Sequence, residues 1–335
     1  MNIYDIAKLA NVSIATVSRV VNNSPKVSKK TKEKVLAIMK ENEYTPNAFA
    51  RGLGLGSMKT IGIICPDIAD IYMAKAISYL EKNLHEYGYD CILGCSGFGQ
   101  KEKESHVKLL LSKKIDTLVL IGSTYAGSGR DDSETDYIRE AAGQTPVFMI
   151  NAKVNGDNIY CTYADDFQAT YEVTKAFLRR GKEKILFMYD SESFSAKQKL
   201  SGYEAALQDA GYPIRGDLKF KTKNDIEYTK NMLLEYNKTL DFDSVIATED
   251  GIAIGAIKYA KIKALSIPED LAITGYNNSI LALSSEPELT SVDSKLEILC
   301  KKTVERMIGL LENGMQIEKN ICVPCEIIRR CTTDF

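Results

Sequence analysis

The chain has 335 residues, 44% of them apolar, and a net charge of −2. That length suggests two or three domains, the apolar share excludes a disordered chain, and no apolar run reaches the roughly 18–20 residues that span a bilayer. The charge is unevenly placed: residues 1–60 hold ten Lys/Arg against four Asp/Glu and the remainder 33 against 41, so an anionic partner is expected at the basic head alone.

The head begins with a helix capped by Asn2, with Asp5 at its third position, and Ile3, Ile6, Ala7 and Ala10 spaced to share one buried face. Asn11-Val12 is short enough to be a tight turn. A second helix, capped by Ser13 with Thr16, spans Ile14 to about Val21; Val17, Val20 and Val21 point inward, and Ala15, Thr16, Ser18, Arg19 and Asn22 lie opposite. Two short helices joined this way form a helix-turn-helix, whose second helix fits the major groove of DNA. A third helix is expected from the cap Ser28 to about Asn42, with Val35, Leu36, Ile38 and Met39 on its apolar face. Lys29, Lys30, Lys32 and Lys34 crowd its start against the macrodipole; phosphate contact explains them better than folding does, although a solvated charged face is the plainer reading of any lysine run. After Pro46, Asn47 can cap a short helix that Gly52, Gly54 and Gly56 weaken, each by about 1 kcal/mol, so this segment should be ordered only when DNA or a partner subunit holds it.

From Thr60 onward short apolar strands alternate with amphipathic helices, the pattern of βαβ units and parallel sheets. Strands are expected at Thr60 to Cys65, Tyr89 to Cys95, Ile115 to Gly122 and Pro146 to Asn151, with helices at Tyr72 to Tyr87, Lys101 to Lys113 and Asp136 to Ala142. The programme then restarts, with helices at Phe167 to Arg180, Lys197 to Ala210, Glu227 to Tyr236 and Gly251 to Ile262, and strands at Lys184 to Tyr189, Asp243 to Thr248 and Leu271 to Tyr276. A late helix at Leu296 to Leu311 and a last strand at about Ile321 to Arg330 complete the chain. Two similar halves imply two subdomains with a cleft between them.

Ile3-Tyr4-Asp5-Ile6-Ala7, Val12-Ser13, Ala15-Thr16-Val17-Ser18-Arg19-Val20, Asn22 and Tyr44 through Leu53 together resemble the lactose/galactose repressor family of bacterial transcription regulators, and the length and strand–helix alternation extend the likeness over nearly the whole chain. The resemblance implies a small all-α helix-turn-helix domain (1–46), a hinge helix and linker (47–59), and an α/β core (60–335) of two doubly wound parallel-sheet subdomains like a periplasmic binding protein. Its chain crossings are expected near Thr162, Val292 and Asn320, giving a first subdomain of about 60–161 and 293–319 and a second of about 162–291 and 320–331. It also implies that Ile14, Ala15 and Arg19 face base edges; that Tyr4, Ser13, Thr16, Ser18, Asn22 and Thr31 set the docking; and that Asn47, Ala50 and Leu53 form the hinge contact, with Leu53 as a lever in the minor groove of a pseudo-palindromic operator. Gly52 departs from the helix-friendly residue expected there.

Ligands of open α/β sheets bind beyond the carboxyl ends of strands. That rule singles out Asp67, Asp70 and Tyr72, then Ser123 and Tyr125, Asn151, Ser193 and Ser195, Glu249-Asp250 and Asn277-Asn278, although loop ends are polar in any case. The family resemblance marks nearly the same positions for an effector (Asp67, Tyr72, Ser123, Asn151, Ser193, Ser195, Glu249 and Asn277) and adds Lys199. Sugar-binding members place an arginine at the Lys199 position and an aspartate at the Asn277 position, and a shorter Asn or Asp is common at Glu249. Lysine lacks the planar fork and asparagine swaps acceptors for donors, so the usual sugar grip is altered here; a sugar or sugar derivative remains the default.

Catalysis, cofactors and metals find little support. His85 and His106 sit in charged helix patterns, Gly97-Phe98-Gly99 lacks a third glycine, and Gly122 to Gly129 lacks the Lys-Ser/Thr of a phosphate loop. Cys322-Val323-Pro324-Cys325 has CxxC spacing but no second pair and no nearby histidine. With a helix-turn-helix at the amino terminus in place of a signal peptide, the expected location is the cytoplasm, with the eight cysteines as thiols. The expectation is a ligand-responsive DNA-binding regulator, a repressor by the family's habit, and a homodimer, since no leucine-heptad tail follows the last strand. The rivals are a solute-binding protein and a cytosolic sugar-modifying enzyme on the same core.

Overall fold

The structure is a computed structural model that describes residues 1–22, 24–44, 57–129, 131–236 and 241–335. The expected hinge contacts Asn47, Ala50 and Leu53 lie outside these residues.

The head is three helices, α1 (Ile3–Ala10), α2 (Ile14–Val21) and α3 (Lys29–Glu41). Each starts where a side chain answers an orphan amide: Asn2 and Asp5 form a reciprocal capping box, Ser13 accepts from Thr16 N, and Ser28 accepts from Thr31 N. Asn11, at φ 51°, ends α1 in the left-handed region, and Val12 N donates back to Ala7 O. Ile6, Ala7, Ala10, Val17, Val20, Val35 and Met39 form the core of the head. Leu36, expected inward, is 43% exposed: at 100° per residue it has turned past the face shared by Val35, Ile38 and Met39.

The first sheet comprises β1 (Thr60–Cys65), β2 (Asp90–Cys95), β3 (Thr117–Ile121), β4 (Val147–Ile150), β5 (Ile159–Ala164) and β11 (Asn320–Val323), in the order β11-β5-β4-β3-β1-β2 and parallel throughout. Helices α4 (Ile71–Glu86), α5 (Gln100–Leu111), α6 (Asp136–Ala142) and α12 (Leu296–Asn313) cover it. The second sheet comprises β6 (Ile185–Tyr189), β7 (Lys219–Lys221), β8 (Ser244–Ala247), β9 (Ala272–Tyr276), β10 (Thr290–Asp293) and β12 (Glu326–Ile328), in the order β12-β10-β9-β8-β6-β7. It is parallel except at β10–β12, and carries α7 (Asp166–Arg179), α8 (Phe194–Asp209), α9 (Ile226–Tyr236), α10 (Asp250–Ile262) and the short α11 (Ile280–Ser284). Strands such as β3 and β4 are buried along their whole length, as sheets covered on both faces require.

The expected subdomain limits need correction. Residues 159–164 are one strand of the first sheet, so the first crossing follows Ala164 and not residue 161. The strand expected at about 321–330 is two strands in two sheets: Asn320–Val323 pairs with β5, and Glu326–Ile328 pairs with β10. Pro324, which has no N–H to offer a ladder, stands at that break. The middle crossing lies at Ser294–Lys295, between β10 and α12. Asp165 N donates to Val323 O at 2.8 Å, so the first and third crossings are hydrogen-bonded to each other. Arg306 of α12 reaches across to β5, donating to Cys161 O at 3.1 Å and Thr162 Oγ1 at 2.9 Å.

Candidate functional site

Two regions collect the residues singled out above. In the head, Ser13, Ile14, Ala15 and Arg19 are exposed or half-buried at the surface, and Thr16, Ser18 and Asn22 lie beside them. With Val17 and Val20 committed to the core, α2 presents one uninterrupted outer face. Tyr4, 66% exposed, projects from α1. Two of the positions expected to set the docking have local structural work: the Thr16 hydroxyl lies 2.9 Å from Ser13 Oγ, and the Thr31 hydroxyl 2.8 Å from Ser28 Oγ. Lys29, Lys30 and Lys34 are exposed and Lys32 half-buried. They crowd a helix start whose free amides are already positive, which is an anion-attracting arrangement.

The second region is a cavity of about 810 Å³. Its position follows from strand order. Each sheet reverses its direction of growth between two adjacent strands that come first and third in its chain order, β1/β3 in the first sheet and β6/β8 in the second, and an open α/β sheet leaves a crevice at such a point. Asp67 and Tyr72 follow β1, Ser123 follows β3, Asn151 follows β4; Ser193 and Ser195 follow β6, Glu249 follows β8, and Asn277 follows β9. All of these, with Lys199 on α8, line the one cavity. The two walls touch where Ser123 Oγ donates to Ser193 Oγ at 2.9 Å.

The floor is polar and buried. Asp166 is 1% exposed and accepts from the Tyr276 hydroxyl at 2.6 Å. Lys199 is 4% exposed, donates to Thr248 O at 3.1 Å, and stands 3.6 Å from the Tyr276 ring centroid. Burial pushes the Asp166 carboxyl up against the pull of Lys199. Glu249 is held well above the usual carboxylate range, first by burial, while Lys199 pulls the other way; its Oε2 accepts from Asn277 Nδ2 at 2.7 Å. Among the described residues Asn151 Oδ1 and Thr248 Oγ1 are buried without a hydrogen-bond partner, acceptors of the kind a ligand or water would satisfy. Asn151 and Asn277 both have positive φ, 59° and 85°, a conformation asparagine tolerates better than most residues.

Three flagged residues serve structure instead. Tyr125 is core, its hydroxyl 2.7 Å from Ser96 Oγ. Asp250 ties α10 to the second sheet, accepting from Ser291 Oγ and Ser279 N, each at 2.6 Å. Asn278 accepts from Arg330 at 2.7 Å. Asp190, one residue past β6, lines the cavity unforeseen, although the strand-end rule covers it; Asn224 and Asp225 follow the short edge strand β7, which the apolar pattern did not disclose. Neither His85 nor His106 reaches the cavity lining.

The comparisons with known proteins agree over both parts. The family of bacterial regulatory proteins, lacI family, matches residues 2–47, and the family of periplasmic binding proteins and sugar binding domain of LacI family matches residues 58–331. An HTH-type transcriptional regulator of Lachnoclostridium phytofermentans is 45% identical over 336 residues, with both chains covered completely. The HTH-type transcriptional regulator DegA of Bacillus subtilis is 30% identical, covering 99% of this chain and 97% of its own. The lac repressor dimer bound to operator and the anti-inducer ONPF superposes with a TM-score of 0.88 at 22% identity, over 99% of this chain and 98% of that one. Among the described residues no helix is long and apolar enough to cross a membrane. With a helix-turn-helix whose reading face is open and a two-sheet core matched end to end, this chain belongs to the lacI family and is a DNA-binding transcription regulator, not an enzyme.

Proposed function

We propose that the protein is a cytoplasmic homodimer that represses transcription by holding a pseudo-palindromic operator and that a small polyhydroxylated molecule, a sugar or sugar derivative, controls this grip from the cleft. Each subunit sets α2 in one major-groove half-site, reading bases with Ile14, Ala15 and Arg19, while Tyr4, Ser13, Thr16, Ser18, Asn22 and Thr31 fix the register through the backbone. Asn47, Ala50 and Leu53 of the two subunits meet over the central minor groove. The observation that carries the reading is the convergence of Asp67, Tyr72, Ser123 and Asn151 from one sheet with Ser193, Ser195, Lys199, Glu249 and Asn277 from the other on a single cavity. A ligand bonded to both walls stabilises the closed form, and closure moves the first subdomains against one another. The coupling required is about 1–3 kcal/mol. Support also comes from relatives: the lac repressor structure is a dimer on its operator, and the regulator CelR, similar in fold, is a cellobiose complex. The solute-binding and sugar-modifying alternatives leave the DNA-reading head without a use.

The test is selection from random duplexes with full-length protein, with and without a metabolite extract, followed by titration of the selected sequence. A palindromic preference that the extract changes is expected. No preference under either condition overturns the proposal.

A further inference from the structure

The cleft is unbalanced in charge. Its lining includes the carboxylates Asp67, Asp70, Asp190, Asp225, Glu227 and Glu249 against the ammonium groups of Lys199 and Lys223. One of the acids is answered by cations: Glu227 pairs with Lys230 and Lys258. Asp225 accepts from Tyr228 N at the start of α9, Asp70 from Met73 N at the start of α4, Asp67 from Ala69 N and Glu249 from Asn277. Among the described residues Asp67, Asp70, Asp190 and Glu249 make no ion pair. They also come from opposite walls, Asp67 and Asp70 from the first subdomain, Asp190 and Glu249 from the second. The Asp70 carboxyl is pushed up first by burial, held down by the Met73 and Tyr72 amides, and raised again by Asp67 and Asp190; Glu249 is pushed up first by burial, pulled down by Lys199, and raised again by Asp190 and Asp70. Lys199 opposes this at Glu249, but it is a single ammonium group, shared with Thr248 O, the Tyr276 face and the buried Asp166 behind it.

A second observation points to a ligand donor. Asn151 and Thr248 are each more than nine-tenths buried, line the same cavity, and among the described residues hold Oδ1 and Oγ1 without partners. An ammonium group offers three donors and no acceptor, which suits a lining in which carboxylates outnumber cations and an amide carbonyl lacks a donor. Among the described residues no group of three acidic, histidine or cysteine side chains is close enough to hold a metal ion. Ser123, Ser193, Ser195 and Asn277 supply the hydroxyl-binding partners beside them.

We infer that the effector carries a protonated amine on a hydroxyl-bearing frame, as an amino sugar does, and that the amine sits among Asp70, Asp190 and Glu249. This rests on the reading of the cleft as the effector site and names the class of its ligand. It also supplies a reason for closure. Carboxylates on facing walls resist approach, and a cation between them removes that resistance, so the ligand interacts differently with the open and closed forms, as any allosteric ligand must.

The experiment uses full-length protein and matched sets of probes: glucose, galactose and mannose, each with its 2-amino, 2-acetamido and uronate counterpart, read by thermal shift and calorimetry. The expected result is that the amine binds about tenfold or more tightly than its hydroxyl parent, the gain of a charge-assisted bond, that acetylation abolishes the gain, and that the uronate does not bind. Asp190→Asn and Asp70→Asn, the latter retaining a good helix cap, should equalise amine and parent without lowering the melting temperature. Parents or uronates binding as well as amines, no amine binding at all, or a preference that survives both variants would each overturn the inference. Operator affinity measured in parallel separates the two readings: a neutral sugar that binds and changes it sinks the amine and keeps the effector site, while an amine that binds without changing it keeps the amine and sinks the effector role.

Discussion

Replacing Lys199 by methionine tests whether the floor of the cleft is held by charge. Methionine retains an unbranched apolar stem but removes the ammonium that stands 3.6 Å from the Tyr276 ring centroid and 3.1 Å from Thr248 O. Asp166 and Glu249 have Lys199 as the first of the effects that oppose burial at their carboxyls. Without it, the Asp166 and Glu249 carboxyls lose the positive charge that opposes their burial, and leaving buried charge uncompensated in this way costs about 3–5 kcal/mol. The penalty depends on pH, and its sign is fixed. Both carboxyls already sit above their ordinary range because of burial, and the substitution lifts them further. Over the interval between the unfolded and the folded pKa the native protein then binds protons that the unfolded chain has released, so stability falls as pH rises through that interval. The variant escapes part of the cost toward the acid end of that interval by protonating and bears more of it toward the alkaline end. Melting curves of wild type and variant should differ by about 6–10 °C at about pH 8, taking about 2 °C per kcal/mol for a domain of this size, and by less at about pH 5. An equal loss at both pH values would mean that the lysine stem, not its charge, matters, and no loss at either would refute the reasoning outright.

Ser13→Ala removes the acceptor for Thr16 N, 3.1 Å away, and should cost about 1 kcal/mol, read as faster hydrogen exchange across residues 14–21; unchanged exchange would deny the cap its role. Gly202→Ala places a Cβ 2.2 Å from Phe167 O and 3.0 Å from Tyr171 N, forcing α7 and α8 apart; a melting temperature within about 2 °C of wild type would contradict that close approach, since overpacking costs about 1–3 kcal/mol or more. Replacing Lys29, Lys30 and Lys32 by glutamine should weaken binding to every duplex and flatten the salt slope by about 0.9 for each phosphate that is no longer neutralised; an unchanged slope returns these lysines to solvent. Leu53→Ala should reduce affinity for the selected operator far more than for random duplex, as loss of a minor-groove wedge does; equal losses would remove the lever.

What could be read in the chain alone is what local chemistry decides. The caps at Asn2, Ser13 and Ser28 depend on residues within three positions, and all three form. The apolar runs at 60–65 and 147–150 are strands because both faces of their sheet are covered. β5 escaped because Ile159–Ala164 carries two tyrosines and a threonine, a pattern too polar to stand out as a buried strand. Its place between β4 and β11 is set by partners far along the chain. The switch of sheets at Pro324 was legible in principle, since a ladder cannot run through proline, but the apolar alternation on either side masked it. The cleft divides the same way. Strand ends announced most of the lining, whereas the Asp166–Tyr276 bond joins residues 110 positions apart and no local pattern predicts it. The left-handed backbone at Asn277 adds a constraint the sequence hid: asparagine there suits the conformation as well as any ligand.

The crossings between subdomains are built against this same cleft, and that placement is what lets a small molecule act at a distance. Asn277 N donates to Val292 O at 2.7 Å, and Ser294, in the middle crossing, donates to Asn277 Oδ1 at 3.3 Å. The other end of the Asn277 amide holds Glu249. A ligand group that takes either partner from Asn277 therefore changes the bonding of the crossing directly. Beyond it, Lys295 bonds Asp293 at 3.3 Å and pairs with Glu326, so the middle and last crossings are clamped by one ammonium group. The helix that follows, α12, shares a core with α4 through Ala76, Leu80, Leu299, Cys300 and Met307. The cap of α4 is Asp70, a cleft residue. Cleft, crossings and the α4–α12 pair are thus contiguous packing, and the coupling of about 1–3 kcal/mol that regulation needs equals one or two charge-assisted hydrogen bonds made only in the closed form. A rearrangement of a single amide and the carboxylates around it is large enough.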